Sequence, residues 1–160
     1  MIKDKDFEII DFTSDVGIKA YGKDIPELFV NSARGMFFII CEKCREKDLN
    51  ADIVKEISLK IDGDTSYEDL LVFWLEKLLF YHETDKALFF NFNLEKLVLN
   101  EIGRGKEPVS TLKARAYGQY IDLKKHEILV HIKGPTYHGL KITQDNNNGS
   151  IFSVNIIFDV

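Results

Sequence analysis

Thr65-Ser66-Tyr67-Glu68-Asp69-Leu70-Leu71-Val72-Phe73-Trp74-Leu75-Glu76-Lys77-Leu78-Leu79-Phe80-Tyr81-His82 is the stretch on which the fold turns. Leu71, Trp74, Leu75, Leu78, Leu79 and His82 recur at steps of one and three, which lays them along one face of a helix. Thr65 and Glu68 stand three apart just ahead of it, the spacing of a capping box. Upstream, residues 53–62 carry Ile53, Ile57, Leu59 and Ile61 as the apolar positions of a strand. Downstream, residues 88–102 are apolar-rich, and residues 110–120 alternate with Leu112, Ala114, Ala116 and Gly118 on one side. The helix therefore lies among strands that do not alternate regularly with helices, which argues against a doubly wound parallel sheet.

Further out, residues 7–11 and 16–22 read as short strands joined by the polar turn Phe12-Thr13-Ser14-Asp15. A first helix is predicted from near Asp24, which can cap it, with Pro26 in the early turn and Glu27 three residues after the cap. Phe29, Ala33, Met36, Phe37 and Ile40 form its apolar stripe. Residues 127–133, 136–143 and 151–159 read as the last strands. The strands from residue 88 onward are separated by turns at 103–106, 122–125, Gly134-Pro135 and 145–149. The expected architecture is α+β: about eight mostly antiparallel strands in packed sheets with two α-helices, as a single compact domain over residues 1–160.

At 160 residues the chain has the size of one domain, given roughly 100–200 residues per domain. Twelve Phe and six Tyr against three Pro exclude a disordered chain. No apolar run approaches the roughly 20 residues of a membrane span, and the charged Met1–Asp6 segment lacks the apolar stretch of a signal peptide. A soluble, cytoplasmic protein is expected. Its 21 basic and 26 acidic residues give a net charge of −5, the wrong sign for general binding to free nucleic acid. Any RNA is then expected to be held by a protein partner.

Most polar motifs have bland explanations. Cys41-x-x-Cys44 lacks two further zinc ligands and ends a helix rather than opening one, so two reduced thiols are expected. Gly103-x-Gly105-Lys106 lacks phosphate-loop spacing and precedes a strand, so it reads as a hairpin turn. His82 falls on an apolar stripe and reads as a core histidine, and His126 closes a basic, solvated turn. His138, in Pro135-Thr136-Tyr137-His138-Gly139, is left as a possible site residue.

The carboxylates carry more. Asp11 and Asp15 flank the first turn, and Asp159 follows the apolar run Ile156-Ile157-Phe158. With the chain stopping at Val160, the Asp159 side chain lies beside the α-carboxylate of Val160. Like charges that close repel unless a cation compensates, and an all-oxygen cluster suits Ca²⁺ or Mg²⁺. Nothing in the spacing brings Asp15 to the same place.

Three segments together resemble the archease family. They are Asp11-Phe12-Thr13-Ser14-Asp15-Val16-Gly17, Lys133-Gly134-Pro135-Thr136-Tyr137-His138, and the ending Phe158-Asp159-Val160. Phe12 stands where the family has His, and Ser14 where it has Ala. The resemblance implies a small α+β protein that assists an RtcB-type RNA ligase, speeding formation of its guanylylated histidine and allowing multiple turnovers in tRNA splicing. It also implies a divalent-cation site at Asp15, Asp159 and Val160. Beside these, the residue reading itself keeps Asp11, Lys133 and His138 as secondary site candidates, with Lys133 expected to balance the charge or touch the ligase. The expected role is that of an activator and not of a catalyst, with tRNA or RNA reached only through the ligase. The rivals are a metal-dependent phosphodiesterase or hydrolase on the same carboxylates, and a purely structural interaction module.

Overall fold

The computed structural model describes residues 6–11, 14–42, 50–105, 107–147 and 149–160. Within them lie the strands β1 (Phe7–Asp11), β2 (Val16–Gly22), β3 (Ile53–Asp62), β4 (Ala87–Glu101), β5 (Val109–Tyr120), β6 (Gly134–Pro135), β7 (Thr143–Asp145) and β8 (Ile151–Asp159). The helices are α1 (Ile25–Ile40) and α2 (Tyr67–Thr84). One sheet runs β1-β2-β8-β6 with β7 also on β8, the other β3-β5-β4, and every pairing is antiparallel. The α+β architecture expected from the sequence is the one found.

Alternation decides what each strand buries. Ile18, Ala20, Val154, Ile156 and Phe158 face inward from the first sheet, and Ile57, Leu112, Ala114 and Ala116 from the second. Helix α1 touches β1, β2 and β8 of one sheet and β4 of the other, so it is buried on most sides, with Phe29, Ala33, Met36, Phe37 and Ile40 fully enclosed. Gly35 lets it approach the first sheet, because a Cβ there would meet Ile18 Cδ1 at 2.7 Å. Helix α2 buries Leu71, Trp74, Leu75 and Leu78, and Trp74 Nε1 donates to Phe29 O at 3.0 Å, tying the two helices together. Among the described residues, no helix is long and apolar enough to cross a membrane.

Five local expectations need correction. The α2 cap is Ser66, whose Oγ accepts from Asp69 N–H at 3.1 Å; Thr65 Oγ1 instead bonds the Asp69 carboxylate at 3.3 Å. Residues 127–133 are not a strand. Leu129 N–H donates to Ile40 O (2.8 Å) and Lys133 N–H to Asp159 O (2.7 Å), and Ile132 is buried, so packing rather than sheet pairing accounts for the alternation. Residues 136–143 are broken by a turn at Gly139, with φ +64, while Gly134-Pro135 pairs with β8 as a short strand instead of turning. His126 is buried: Asp122 N–H donates to its Nδ1 at 3.0 Å, which leaves the proton on Nε2 to donate to Gln119 Oε1 at 3.1 Å. His82 is the expected core histidine, its Nδ1 2.7 Å from Ala87 O. Cys41 is buried and unbridged, while Cys44 and Lys106 lie outside the described residues.

Candidate metal centre

Strands β1 and β2 form a hairpin whose last pair is Asp11↔Val16, leaving residues 12–15 as the connection. Phe12 and Thr13 lie outside the described residues. On its other side β2 pairs with β8, and this ladder stops at Val16↔Phe158. One residue beyond that last pair come Asp15, just before β2, and Asp159, the last residue of β8, so both carboxylates lie where the sheet ends. Val16 and Phe158 face the core, so alternation turns Asp15 and Asp159 to the opposite face, and both are exposed.

The second flank of β8 completes the end of the sheet. Gly134 pairs with Asp159, and Lys133 N–H donates to Asp159 O at 2.7 Å. Thr136 donates twice to Ile157 O, from its N–H at 2.8 Å and from Oγ1 at 3.0 Å. These bonds fix the backbone at Asp159 from the side opposite Asp15. Lys133, one residue outside this pairing, falls next to Val160, and both are exposed. Asp15, Asp159, Val160 and Lys133 thus converge on one sheet end.

Asp11 and His138 do not complete the site in the same way. Asp11 sits on β1, one strand further out, and His138 in the exposed turn after β6. Among the described residues, no three His, Cys, Asp or Glu side chains cluster to hold a metal. What this sheet end offers is two side-chain carboxylates, Asp15 and Asp159, beside the main-chain oxygens of Val160. This oxygen-only set fits a hard cation that keeps part of its water shell.

The motif around His138 holds a tether that sequence reasoning did not find. The Tyr137 phenol is pushed up to about 12 by burial and by its hydrogen bond to Asp69. That bond joins the segment flanking Asp159 to the first turn of α2. No pattern in the sequence announced it, because Tyr137 and Asp69 meet only through the fold.

The model of the Archease protein family (MTH1598/TM1083) matches residues 7–160. The chain belongs to the archease family. It is 32% identical over 158 residues to the protein archease of Sulfurisphaera tokodaii, covering 96% of this chain and 98% of that one. With the protein archease of Methanosarcina barkeri it shares 34% identity over 140 residues, 88% of each chain. The solution structure of Methanobacterium thermoautotrophicum protein 1598 is similar at a TM-score of 0.68 and 27% identity, over 97% of this chain and 99% of that one. A Thermotoga maritima archease, described as a possible chaperone, shares the fold at a TM-score of 0.52 and 17% identity, over 94% of each chain.

Proposed function

We propose that this archease is a cytoplasmic, divalent-metal-binding cofactor protein that promotes guanylylation and multiple turnover of an RtcB-type RNA ligase in tRNA splicing and RNA repair. In this role Asp15 and Asp159 hold one Ca²⁺ or Mg²⁺ through their carboxylates, and Val160 adds a terminal or main-chain oxygen. The β2–β8 register is the observation that supports it, because it runs the strands leading to Asp15 and Asp159 side by side. Family membership supports it independently. The bound ion supplies positive charge able to neutralise phosphate oxygens during nucleotidyl transfer.

The chain's own groups do the rest. The two carboxylates are exposed at the end of a sheet, where a nucleotide cleft of another protein can reach them. Lys133 offsets part of their charge and offers a donor to that partner. The chain makes no bond in RNA itself, and its net charge of −5 leaves RNA binding to the ligase.

The test is single-turnover guanylylation of the cognate ligase, with and without the chain, compared with Asp15→Ala/Asp159→Ala. Stimulation by the unaltered chain that disappears in the double variant is expected. Equal stimulation by both would remove the carboxylates from the mechanism. Phosphodiester hydrolysis by the chain alone with Mg²⁺ or Mn²⁺ would reassign it as a hydrolase.

A further inference from the structure

The outer edge of β3 is the longest regular strand edge left open among the described residues. β3 pairs with β5 alone, over ten consecutive positions without a register shift. The other outer strands are short or broken: β1 has five residues, β6 two and β7 three, while β4 is interrupted by three register shifts. A long regular edge is a template for another strand unless something blunts it.

The backbone direction along that edge follows from one bond. Gly63 N–H donates to Pro108 O at 2.9 Å, one step beyond the pair Asp62↔Val109. Bonded and non-bonded positions alternate in an antiparallel ladder, so Ile53, Lys55, Ile57, Leu59 and Ile61 bond to β5. Val54, Glu56, Ser58, Lys60 and Asp62 turn their N–H and C=O groups outward, and their side chains are exposed.

We propose that this edge pairs antiparallel with β3 of a second copy of the chain, about a two-fold axis at Ser58. Outward-turned residues can pair only with outward-turned residues, which leaves few registers. An axis at Ser58 sets Glu56 opposite Lys60 twice and Val54 opposite Asp62. An axis at Glu56 or at Lys60 opposes that residue to its own copy. An axis at Ile57 opposes Asp52 to Asp62, and one at Leu59 opposes Glu56 to Asp62. Like charges directly across a strand pair destabilise it, so charge selects the Ser58 register.

The neighbouring surface is largely apolar. Beside the edge lies an open groove of about 570 Å³, lined by Leu59 and Ile61 of β3 and by Phe73 and Phe80 of α2. The two Phe side chains are 39% and 54% exposed. Glu76 and Lys77 flank them with opposite charges. Lys55, the inward charge of β3, does not bar the approach. It is held by Asp85 at 2.8 Å and lies 4.3 Å from the centre of the Tyr81 ring.

Sedimentation velocity of the full chain across a concentration series tests this. The expected species has twice the 18.5 kDa mass of one chain. Glu56→Lys and Lys60→Glu should each weaken the dimer about tenfold or more by opposing like charges. The double reversal Glu56→Lys/Lys60→Glu should restore it. Ser58→Pro spares the β3–β5 bonds, because the Ser58 N–H faces outward, and should give a folded monomer by circular dichroism. Amides of Glu56, Ser58 and Lys60 should gain exchange protection with concentration. A chain monomeric at every concentration overturns the proposal, and so does a dimer indifferent to both charge reversals. Asp15, Asp159 and Lys133 lie outside β3 and α2, so dimerisation and ligase stimulation can each fail without the other.

Discussion

Phe158→Ala probes how the core holds the candidate site. Phe158 is fully enclosed and sits on β8 between Val16 and Pro135, one residue before Asp159. Truncating an enclosed Phe costs about 3–5 kcal/mol, as lost transfer energy plus the cavity left behind. For a chain of this size each kcal/mol moves Tm by about 2–4 °C, so a drop of roughly 6–20 °C is expected. Asp159→Asn is the control: the side chain is exposed, and its stability effect without metal should stay within about 0.5 kcal/mol. The two variants part again when Ca²⁺ is added. Asp159→Asn should lose ion-induced stabilisation while keeping the original Tm, whereas Phe158→Ala starts low. Thermal unfolding followed by circular dichroism, with and without Ca²⁺, reads both effects. A Phe158→Ala cost under about 1 kcal/mol would refute its placement in the core. An apo Asp159→Asn cost matching that of Phe158→Ala would show that Asp159 is structural.

The α2 cap gives a second prediction: Ser66→Ala should cost about 1 kcal/mol, and Thr65→Ala less, in denaturant unfolding. The reverse order would restore the cap to Thr65. A third concerns pH. Burial pushes His82 below its ordinary value of 6.5 despite the Ala87 carbonyl. As pH falls through 6.5 the unfolded chain takes up this proton before the folded chain does, so stability drops with acidification below that point. The Tm gap between the unaltered chain and His82→Gln should therefore narrow as pH falls, and a constant gap would refute the buried neutral imidazole.

Much of the fold was legible because its signals are local. The apolar periods of α1 and α2, the Asp24 cap and the alternation of β3 and β5 each span a few residues and survive in the structure almost unchanged. Legibility failed where a local pattern had two physical solutions. The alternation in residues 127–133 satisfies packing as well as it would a ladder. Thr65 and Ser66 are both able to cap, and only the helix geometry chooses between them.

The sequence by itself determined the α+β class, most elements and the acidic residues flanking the first turn and the last strand. It also supplied the residue set of the candidate centre through the family motifs. Only the tertiary structure decided that the strands leading to Asp15 and Asp159 run side by side. Their approach depends on register, set where Val16, Ile18 and Ala20 bury beside Phe158, Ile156 and Val154. A slip of one residue would turn every one of those side chains outward and misalign the carboxylates. Composition and periodicity say which face of a strand is apolar. Which distant strand lies alongside, and at what offset, is settled only when the whole core packs.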